Sequence, residues 1–288
     1  QAGLALLGKM LDLRFAPDVQ SYSAVIAACG RNEQWQVALT LFDTLPAARV
    51  EVDVASVGFA AGTSAEGNFS LPERQFAPDV VSCNSALSAC ERGGQWERAL
   101  ALFFDVMPQL RLTPSVVSFS ILISSCSKGD QWQRALSLFQ AMPSYGLRPS
   151  QVSYNFILDA VFDRPVGHYL FLEALDDEVY PLLEWERYDR KKIDLHALSY
   201  GAAILAVSWW LLRHAKHPIS RSVLVITGRG MYRGDPHGLV VRPAVEQLLK
   251  EFGLLPLVVK SSQGTFALLT KDLRLKLRLK SDPWFLSS

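Results

Sequence analysis

The 288-residue sequence has only four cysteines, little charge of either sign, and no apolar run long enough to cross a membrane. The cysteines do not resemble a disulfide framework, because Cys29, Cys90 and Cys126 each follow a proline by twelve residues. A cysteine at one recurring position is typical of a buried apolar site and favours a reducing compartment. The longest apolar stretch, residues 197–212, is shorter than a bilayer span and is interrupted by two serines, so we predict no membrane segment.

The charge is divided unevenly along the chain. Residues 1–165 hold 12 Lys and Arg against 15 Asp and Glu, a net charge of −3, whereas residues 187–280 hold 17 against 6, a net charge of +11. An acidic run over residues 173–186 separates the two regions. This asymmetry favours a polyanionic partner for the C-terminal part, although a solvated basic surface would give the same count.

Repeats dominate the first 165 residues. The sequence Gln-Trp-x-x-Ala-Leu occurs at residues 34–39, 95–100 and 131–136, and Pro-Asp or Pro-Ser pairs recur in the same frame at residues 17, 78, 114 and 149. Between them, apolar residues recur at spacings of three and four, as on one face of a helix. The sequence therefore predicts an α-helical superhelical repeat array, in which helix-turn-helix hairpins stack on one another.

The frame divides the array into units. Residues 19–53, 80–115 and 116–150 are whole units, 1–18 and 151–165 are partial, and 54–79 closes too early to be a normal unit. With three glycines, residues 54–79 predict a poor helix, which leaves a surface loop, a degenerate unit or an error in the gene model as interpretations. Because Gln1 falls inside a pattern already under way, we expect upstream repeats and any targeting peptide to precede it.

The units resemble pentatricopeptide repeats, on segments such as Val116-Val117-Ser118-Phe119-Ser120-Ile121-Leu122-Ile123 followed by Trp-x-x-Ala-Leu-x-Leu-Phe and Gly-Leu-Arg-Pro. The resemblance implies binding of single-stranded RNA, in which two residues of each unit face one base. The pairs it implies are Ser23 with Asp53, Asn84 with Ser115, and Ser120 with Ser150, and Asn155 begins a further unit. The first pair would select a purine, G, and the second a pyrimidine, C, while the third implies no base. Each of these residues could instead cap a helix.

The C-terminal part has a different pattern. After a predicted linker at residues 166–190, a strand at 193–196 precedes an apolar helix at 200–212, and a second strand covers 223–226. A helix over 242–252 and strands at 257–259 and 265–269 follow, which predicts a small α/β two-layer domain. Residues 273–280 alternate Leu with Lys or Arg in a basic extension, 273–288, that suits either a protected edge strand or an RNA contact.

Two motifs in this domain, Ile-Asp-Leu-His at 193–196 and Thr-Gly-Arg-Gly at 227–230, precede Arg242-Pro-Ala-Val and resemble the Smr domain over residues 191–272. That resemblance implies an endonuclease acting on RNA or DNA, or a binding module without cleavage. The residue after the histidine departs from the family pattern, because Ala197 replaces the usual glycine.

The residues themselves suit phosphate chemistry. Asp194 and His196 lie two apart on the predicted strand and so share a face, where the histidine could act as general base or acid and the aspartate could ligate a divalent metal such as Mg²⁺. Arg229 would stabilise the charge of the transition state. The expected phosphate site is completed by Thr227, Gly228, Gly230, Arg233 and Arg242. A lone Asp-x-His or a tight Gly turn is also compatible with a purely structural role.

The leading hypothesis is therefore a sequence-selective RNA-binding protein that acts in RNA processing or stability in a plastid or mitochondrion, with Smr-type cleavage as an additional activity. The organelle is implied by the resemblance alone. The alternative from another class is a non-catalytic scaffold whose acidic repeat surface binds protein partners, which the net charge of −3 favours mildly.

Overall fold

The computed structural model describes residues 18–45, 78–187, 190–215, 222–227, 238–254, 257–258 and 265–269, with the single residues Ala5, Lys9 and Leu13. The chain divides into two compact units, Gln1–Pro149 and Ser150–Ser288. Several predicted features lie outside the described residues: Asp53, Gly228, Arg229, Gly230, Arg233 and the extension 273–288.

The first unit consists of helical hairpins, as predicted. Helix α1 (Val19–Arg31) is followed by α2 at residues 35–45, and α3 (Val80–Arg92) by α4 (Trp96–Ala101). Helix α4 continues through a π-helical turn, Leu102–Val106, into Met107–Gln109. The next hairpin pairs α5 (Val116–Lys128) with α6 (Trp132–Ala141), which ends in a 3₁₀ turn, Met142–Tyr145.

Local sequence explains where each hairpin begins and turns. The side chains of Asp18, Asp79 and Ser115 cap α1, α3 and α5 by accepting a hydrogen bond from the backbone N–H three residues later. Between the two helices of each hairpin, Glu33, Gly94 and Asp130 adopt positive φ angles of 60°, 66° and 55°. This left-handed residue reverses the chain in the same way in all three hairpins.

The core of the first unit repeats with the sequence. Cys29, Cys90 and Cys126 are all buried, which confirms that they occupy one core position. The second helices and the turn that continues α4 bury an alanine and a phenylalanine at matching positions: Ala38, Ala99, Ala135, Phe42, Phe103 and Phe139. Each hairpin thus buries the same apolar face, which is how repeat proteins build a continuous core.

The second unit begins with another hairpin, α7 (Gln151–Val161) and α8 (Pro165–Asp176). Helix α8 and strand β1 (Glu184–Arg187) occupy the segment that the sequence predicts as a linker, 166–190. The linker prediction is wrong for this segment, because it relied on the acidic composition. Pro165 stands at the first position of α8, where proline favours a helix start. The helix buries Leu170, Phe171 and Ala174.

The rest of the second unit is an α/β arrangement. Strands β2 (Arg190–Asp194), β3 (Ser222–Ile226), β4 (Leu257–Val258) and β5 (Thr265–Leu269) join β1 in a sheet of order β1-β2-β3-β5-β4. Helix α9 (Tyr200–Ala215) connects the parallel pair β2 and β3, and α10 (Gly238–Glu251) packs on α9. These elements lie close to their predicted positions. Among the described helices, none is long and apolar enough to span a bilayer.

Candidate nucleic-acid interface

Three of the four described repeats expose a valine at the same position, which Gln20 occupies in the repeat of α1. Val81, Val117 and Val152 lie two residues after the N-cap of their helix and expose 62%, 56% and 53% of their surface. The sequence analysis did not single them out, although their spacings of 36 and 35 residues match the repeat. A recurring exposed apolar side chain at a helix N-terminus offers a flat contact to a stacked ring, beside backbone N–H groups that favour anions.

Two of the predicted base-facing serines are buried. Ser23 and Ser120 each bond through Oγ to the carbonyl oxygen four residues earlier, Val19 at 2.7 Å and Val116 at 2.8 Å. Their hydroxyls are thereby held against their own helices. A hydroxyl that donates to a carbonyl in this way does not donate to a base, although a hydroxyl oxygen can also accept a hydrogen bond.

Asn84 is only half-buried, unlike Ser23 and Ser120. Its Oδ1 accepts a hydrogen bond of 2.7 Å from Ser118 Oγ, a buried residue of the next repeat. Among the described residues Nδ2 has no hydrogen-bond partner, so the amide is oriented with its donor end available. This arrangement fits a base that presents an acceptor, such as the cytosine expected here.

The last members of the predicted pairs are helix caps in the structure. Ser115 and Ser150 each form a capping box with the serine three residues later, Ser118 and Ser153. The helix-capping interpretation of these residues is therefore confirmed. It does not exclude a contact with RNA, because each cap is only half-buried and lies two residues before the exposed valine.

Asn155 lies at the position equivalent to Asn84, but its side chain is engaged within the second unit. Its Nδ2 donates to the carbonyl oxygen of Ala197 at 3.0 Å, and its Oδ1 accepts from Tyr180 Oη at 2.8 Å. Its own carbonyl oxygen accepts from Ser199 Oγ at 3.1 Å. Both ends of the amide are thus engaged: Nδ2 bonds to the loop that follows β2, and Oδ1 bonds to the tyrosine that precedes β1.

The structure brings Asp194 and His196 together, as predicted, but by a different route. Strand β2 ends at Asp194, and His196 lies in the turn that follows, so the predicted strand 193–196 is wrong at its end. Asp194 Oδ1 accepts from the His196 backbone N–H at 3.1 Å, a local bond that ends the strand, and bonds to His196 Nδ1 at 2.6 Å. The histidine side chain is 53% exposed and the aspartate 18%.

Thr227 lies at the same edge of the sheet. Strands β2 and β3 are parallel, with Asp194 opposite Ile226, so the carboxyl ends of both strands meet there. Thr227 is buried, which agrees with a role in shaping the edge. Arg242, the other described member of the predicted phosphate site, bonds from Nε to Glu246 Oε1 at 3.2 Å on the surface of α10.

The described residues contain no cluster of three or more His, Cys, Asp or Glu side chains that could hold a metal ion. Asp194 could still bind a divalent ion if phosphate oxygens of a bound nucleic acid supplied other ligands, as is common for Mg²⁺. Chemically, the edge of β2 and β3 offers an exposed imidazole whose other ring nitrogen is held by a carboxylate, which is the arrangement of a general base.

The sequence matches models of the pentatricopeptide repeat. The repeat family model matches residues 78–128 and 114–163, and a single-repeat model matches residues 20–48. These segments therefore carry pentatricopeptide-type repeats. Comparison with curated proteins gave no match.

Similar solved structures include two crystal structures of the pentatricopeptide repeat protein PPR10. One, described as PPR10 from maize, shares 21% identity over 73% of this chain and 24% of that chain, with a TM-score of 0.44. The other, PPR10 in complex with an 18-nt psaJ RNA element, shares 19% identity over 87% of this chain and 31% of that chain, with a TM-score of 0.48. This chain spans about a quarter to a third of the length of PPR10.

Proposed function

We propose that the repeats of this chain bind single-stranded RNA, and that the repeats beginning with α3, α5 and α7 each present an exposed valine and a neighbouring polar side chain to one base. The observation that carries the proposal is the recurrence of Val81, Val117 and Val152 beside a helix N-terminus in segments that match pentatricopeptide repeat models. Repeat modules of this kind read one base each through two or three side chains.

The exposed valines provide an apolar surface on which a base can stack. The helix caps and Asn84 provide polar groups that can form hydrogen bonds with the base. Stacking on an apolar surface depends little on which base is bound. Discrimination between bases therefore depends on the polar groups beside that surface. In the repeat that begins with α3, Nδ2 of Asn84, which has no hydrogen-bond partner among the described residues, can donate to a base. The proposed organellar role in RNA processing or stability rests on the family resemblance alone.

The proposal is tested by measuring RNA binding to the full chain with Val117→Asp. An aspartate at the second position of a helix is favourable for the helix, so folding is preserved while a carboxylate faces the RNA. We expect wild type to bind a pool of short single-stranded RNAs with an affinity that falls as salt rises, and the variant to bind at least about tenfold more weakly.

Leu182→Asp is the matched control, because Leu182 is 70% exposed but lies outside the repeat frame, and it should bind like wild type. Absence of RNA binding by wild type even at low salt would refute the proposal. In that case the scaffold interpretation, in which the acidic repeats bind proteins, would become the leading one.

A second candidate function, RNA cleavage of the Smr type, is favoured by the 2.6 Å contact between Asp194 Oδ1 and His196 Nδ1. With Nδ1 donating to the carboxylate, Nε2 carries a lone pair that can accept the proton of an attacking hydroxyl. The exposed imidazole at the edge of the sheet is accessible to a phosphodiester, and Asp194 with phosphate oxygens would hold a divalent ion.

Cleavage is tested with labelled RNA and Mg²⁺, comparing wild type with His196→Ala and Asp194→Asn. We expect wild type to cut and both variants to lose that activity while still binding RNA through the repeats. Equal cutting by all three proteins would indicate a contaminant. No cutting by wild type, with binding intact, would leave the domain as a non-cleaving module.

A further inference from the structure

Helices α1 and α3 pack directly on each other although 48 residues of sequence separate Arg31 from Val80. A Cβ built on Gly30 would lie only 3.0 Å from the Cα and Cβ of Ala89, so the two backbones are in close contact. No other repeat fits between two helices that touch in this way. Residues 19–45 and the repeat that begins at Val80 are therefore neighbours in the stack.

The joint between these two repeats is the same as the joint between the next two. Trp35 lies against Gly93, where an added Cβ would come within 2.3 Å of the ring, and Arg98 lies over that ring at 4.7 Å. One repeat later, Trp96 lies against Gly129 with an equivalent approach of 2.4 Å, and an arginine again lies over the ring at 4.7 Å.

The second joint connects repeats that are consecutive in sequence, whereas the first does not. The step from Trp96 to Pro114 is 18 residues and the step from Trp132 to Pro149 is 17, but the step from Trp35 to Pro78 is 43. Because the joints are alike, the repeats of α1 and α3 are consecutive in the stack, although the chain between them is about 25 residues longer than in the other joint.

We propose that Asp79, and not Asp53, is the partner of Ser23, and that the repeats of α1 and α3 contact neighbouring nucleotides with no nucleotide skipped. The inference rests on the proposed RNA binding. Asp79 caps α3 with a capping box, as Ser115 caps α5 and Ser150 caps α7. It thus occupies the position that the last member of a pair holds in every other described repeat.

Asp79 also has the chemistry to select a base. Its Oδ1 accepts a hydrogen bond of 2.7 Å from the Ser82 backbone N–H. Because Asp79 is exposed, its other carboxylate oxygen can accept a hydrogen bond from a ligand. A carboxylate accepts hydrogen bonds only, so it favours a base edge rich in N–H donors, and guanine provides such donors. The nucleotide beside it is contacted by the donor amide of Asn84.

The experiment is a selection from a random single-stranded RNA pool with four full chains. These are wild type, Asp79→Ser, Asp53→Ser, and a deletion of residues 51–75 that restores an 18-residue step from Trp35 to Pro78. We expect wild type to enrich two adjacent constrained positions. Asp79→Ser should lose preference at one of them by about tenfold, while Asp53→Ser and the deletion leave the motif unchanged.

A gap between the two constrained positions, or a motif changed by Asp53→Ser and not by Asp79→Ser, would overturn the inference while leaving RNA binding intact. Absence of enrichment by every protein would overturn the proposed function and this inference with it. Thermal unfolding provides a readout that needs no RNA. The deletion should keep a single transition at an equal or higher midpoint, since it shortens the chain between two helices that stay in contact, whereas loss of a stacked repeat would lower it.

Discussion

Asn155 Nδ2 donates a hydrogen bond of 3.0 Å to the carbonyl oxygen of Ala197, the residue after His196. Two further hydrogen bonds connect α7 to the same region: Gln151 Nε2 bonds to the same carbonyl oxygen at 3.2 Å, and the Gly201 backbone N–H donates to Asp159 Oδ1 at 2.6 Å. Helix α7 therefore positions the turn that carries the Asp194–His196 pair. Asn155, which the sequence predicts to face a base, has here a structural function.

We predict that Asn155→Ala destabilises the second unit without changing base preference. Removing the amide leaves the carbonyl oxygen of Ala197 and the hydroxyl of Tyr180 with fewer partners, which costs about 1–3 kcal/mol. Denaturant unfolding measures the loss. The matched variant is Asn84→Ala, which should change the RNA preference at one position and affect stability less. A change of RNA motif in Asn155→Ala would show that Asn155 reads a base after all.

We predict that a larger residue at the glycine of a Trp–Gly joint destabilises the first unit. In Gly129→Ala the added Cβ would meet the Trp96 ring at 2.4 Å, so the ring and the Arg134 side chain over it must move. Overpacking of this kind costs about 1–3 kcal/mol in the free energy of unfolding. Calorimetric or urea unfolding should show the loss.

The control for this joint is Gly94→Asn. Gly94 has a φ of 66° and no atom within 4 Å of an added Cβ, and asparagine tolerates the left-handed region. Its stability should stay close to that of wild type. Equal losses in both variants would mean that turn conformation, and not the contact with tryptophan, sets the cost.

The repeats were predictable from sequence because their signal is local. The spacing of Trp35, Trp96 and Trp132 with the Pro-Asp and Pro-Ser pairs fixes where helices begin and turn, and the structure follows it. The early closure at Pro78 was visible too, but sequence alone could not separate an insertion from a damaged repeat. That distinction depends on which helices touch, which only the contact of Gly30 with Ala89 reveals.

The site was less predictable, since its contacts span long sequence distances or depend on a turn. Asn155 and Ala197 are 42 residues apart, and no local pattern shows that they meet. Asp194 and His196 were expected to share a strand face, yet they meet because the aspartate bonds to the histidine backbone and ends the strand. The exposed valines had a detectable signal in the sequence, which is their constant distance from the N-cap. Because they are apolar, however, a sequence analysis assigns them to the core.

The buried cysteines predict a loss of stability in alkali. Burial raises the pKa of Cys83 to about 12 and the pKa values of Cys90 and Cys126 to about 11. In the unfolded chain a thiol loses its proton near pH 8.5, so from there to about pH 11 the unfolded state releases protons that the folded state keeps. The free energy of unfolding should therefore fall as pH rises through this window.

Urea unfolding at a series of pH values measures the slope, and a variant with alanine at these three cysteines should lose part of it. Burial also raises the pKa values of Tyr154 and Tyr180, which add a contribution of the same sign above about pH 10. Thiol labelling gives an independent check. The folded chain should react slowly at pH 8 at these three positions, and a rapid reaction there would contradict their burial.

Glu91 links two neighbouring repeats. Its Oε1 accepts from Ser124 Oγ at 2.9 Å and lies 2.5 Å from Lys128 Nζ, so α3 is connected to α5 near the C-terminal ends of both helices. The glutamate side chain is only 15% exposed but the lysine is 44% exposed, so solvent screens the ion pair and the serine bond contributes more. We expect Glu91→Gln to cost about 0.5–1.5 kcal/mol and to keep most of that cost at high salt.

Glu97→Gln is the matched control, because Glu97 is exposed, lies in the first turn of α4, and makes no hydrogen bond or ion pair with the described residues of neighbouring repeats. It should lose only a few tenths of a kcal/mol through the helix dipole, and that loss should vanish at high salt. If the cost of Glu91→Gln disappeared equally in salt, the contact with Lys128 would be the stabilising one and the hydrogen bond from Ser124 would contribute little.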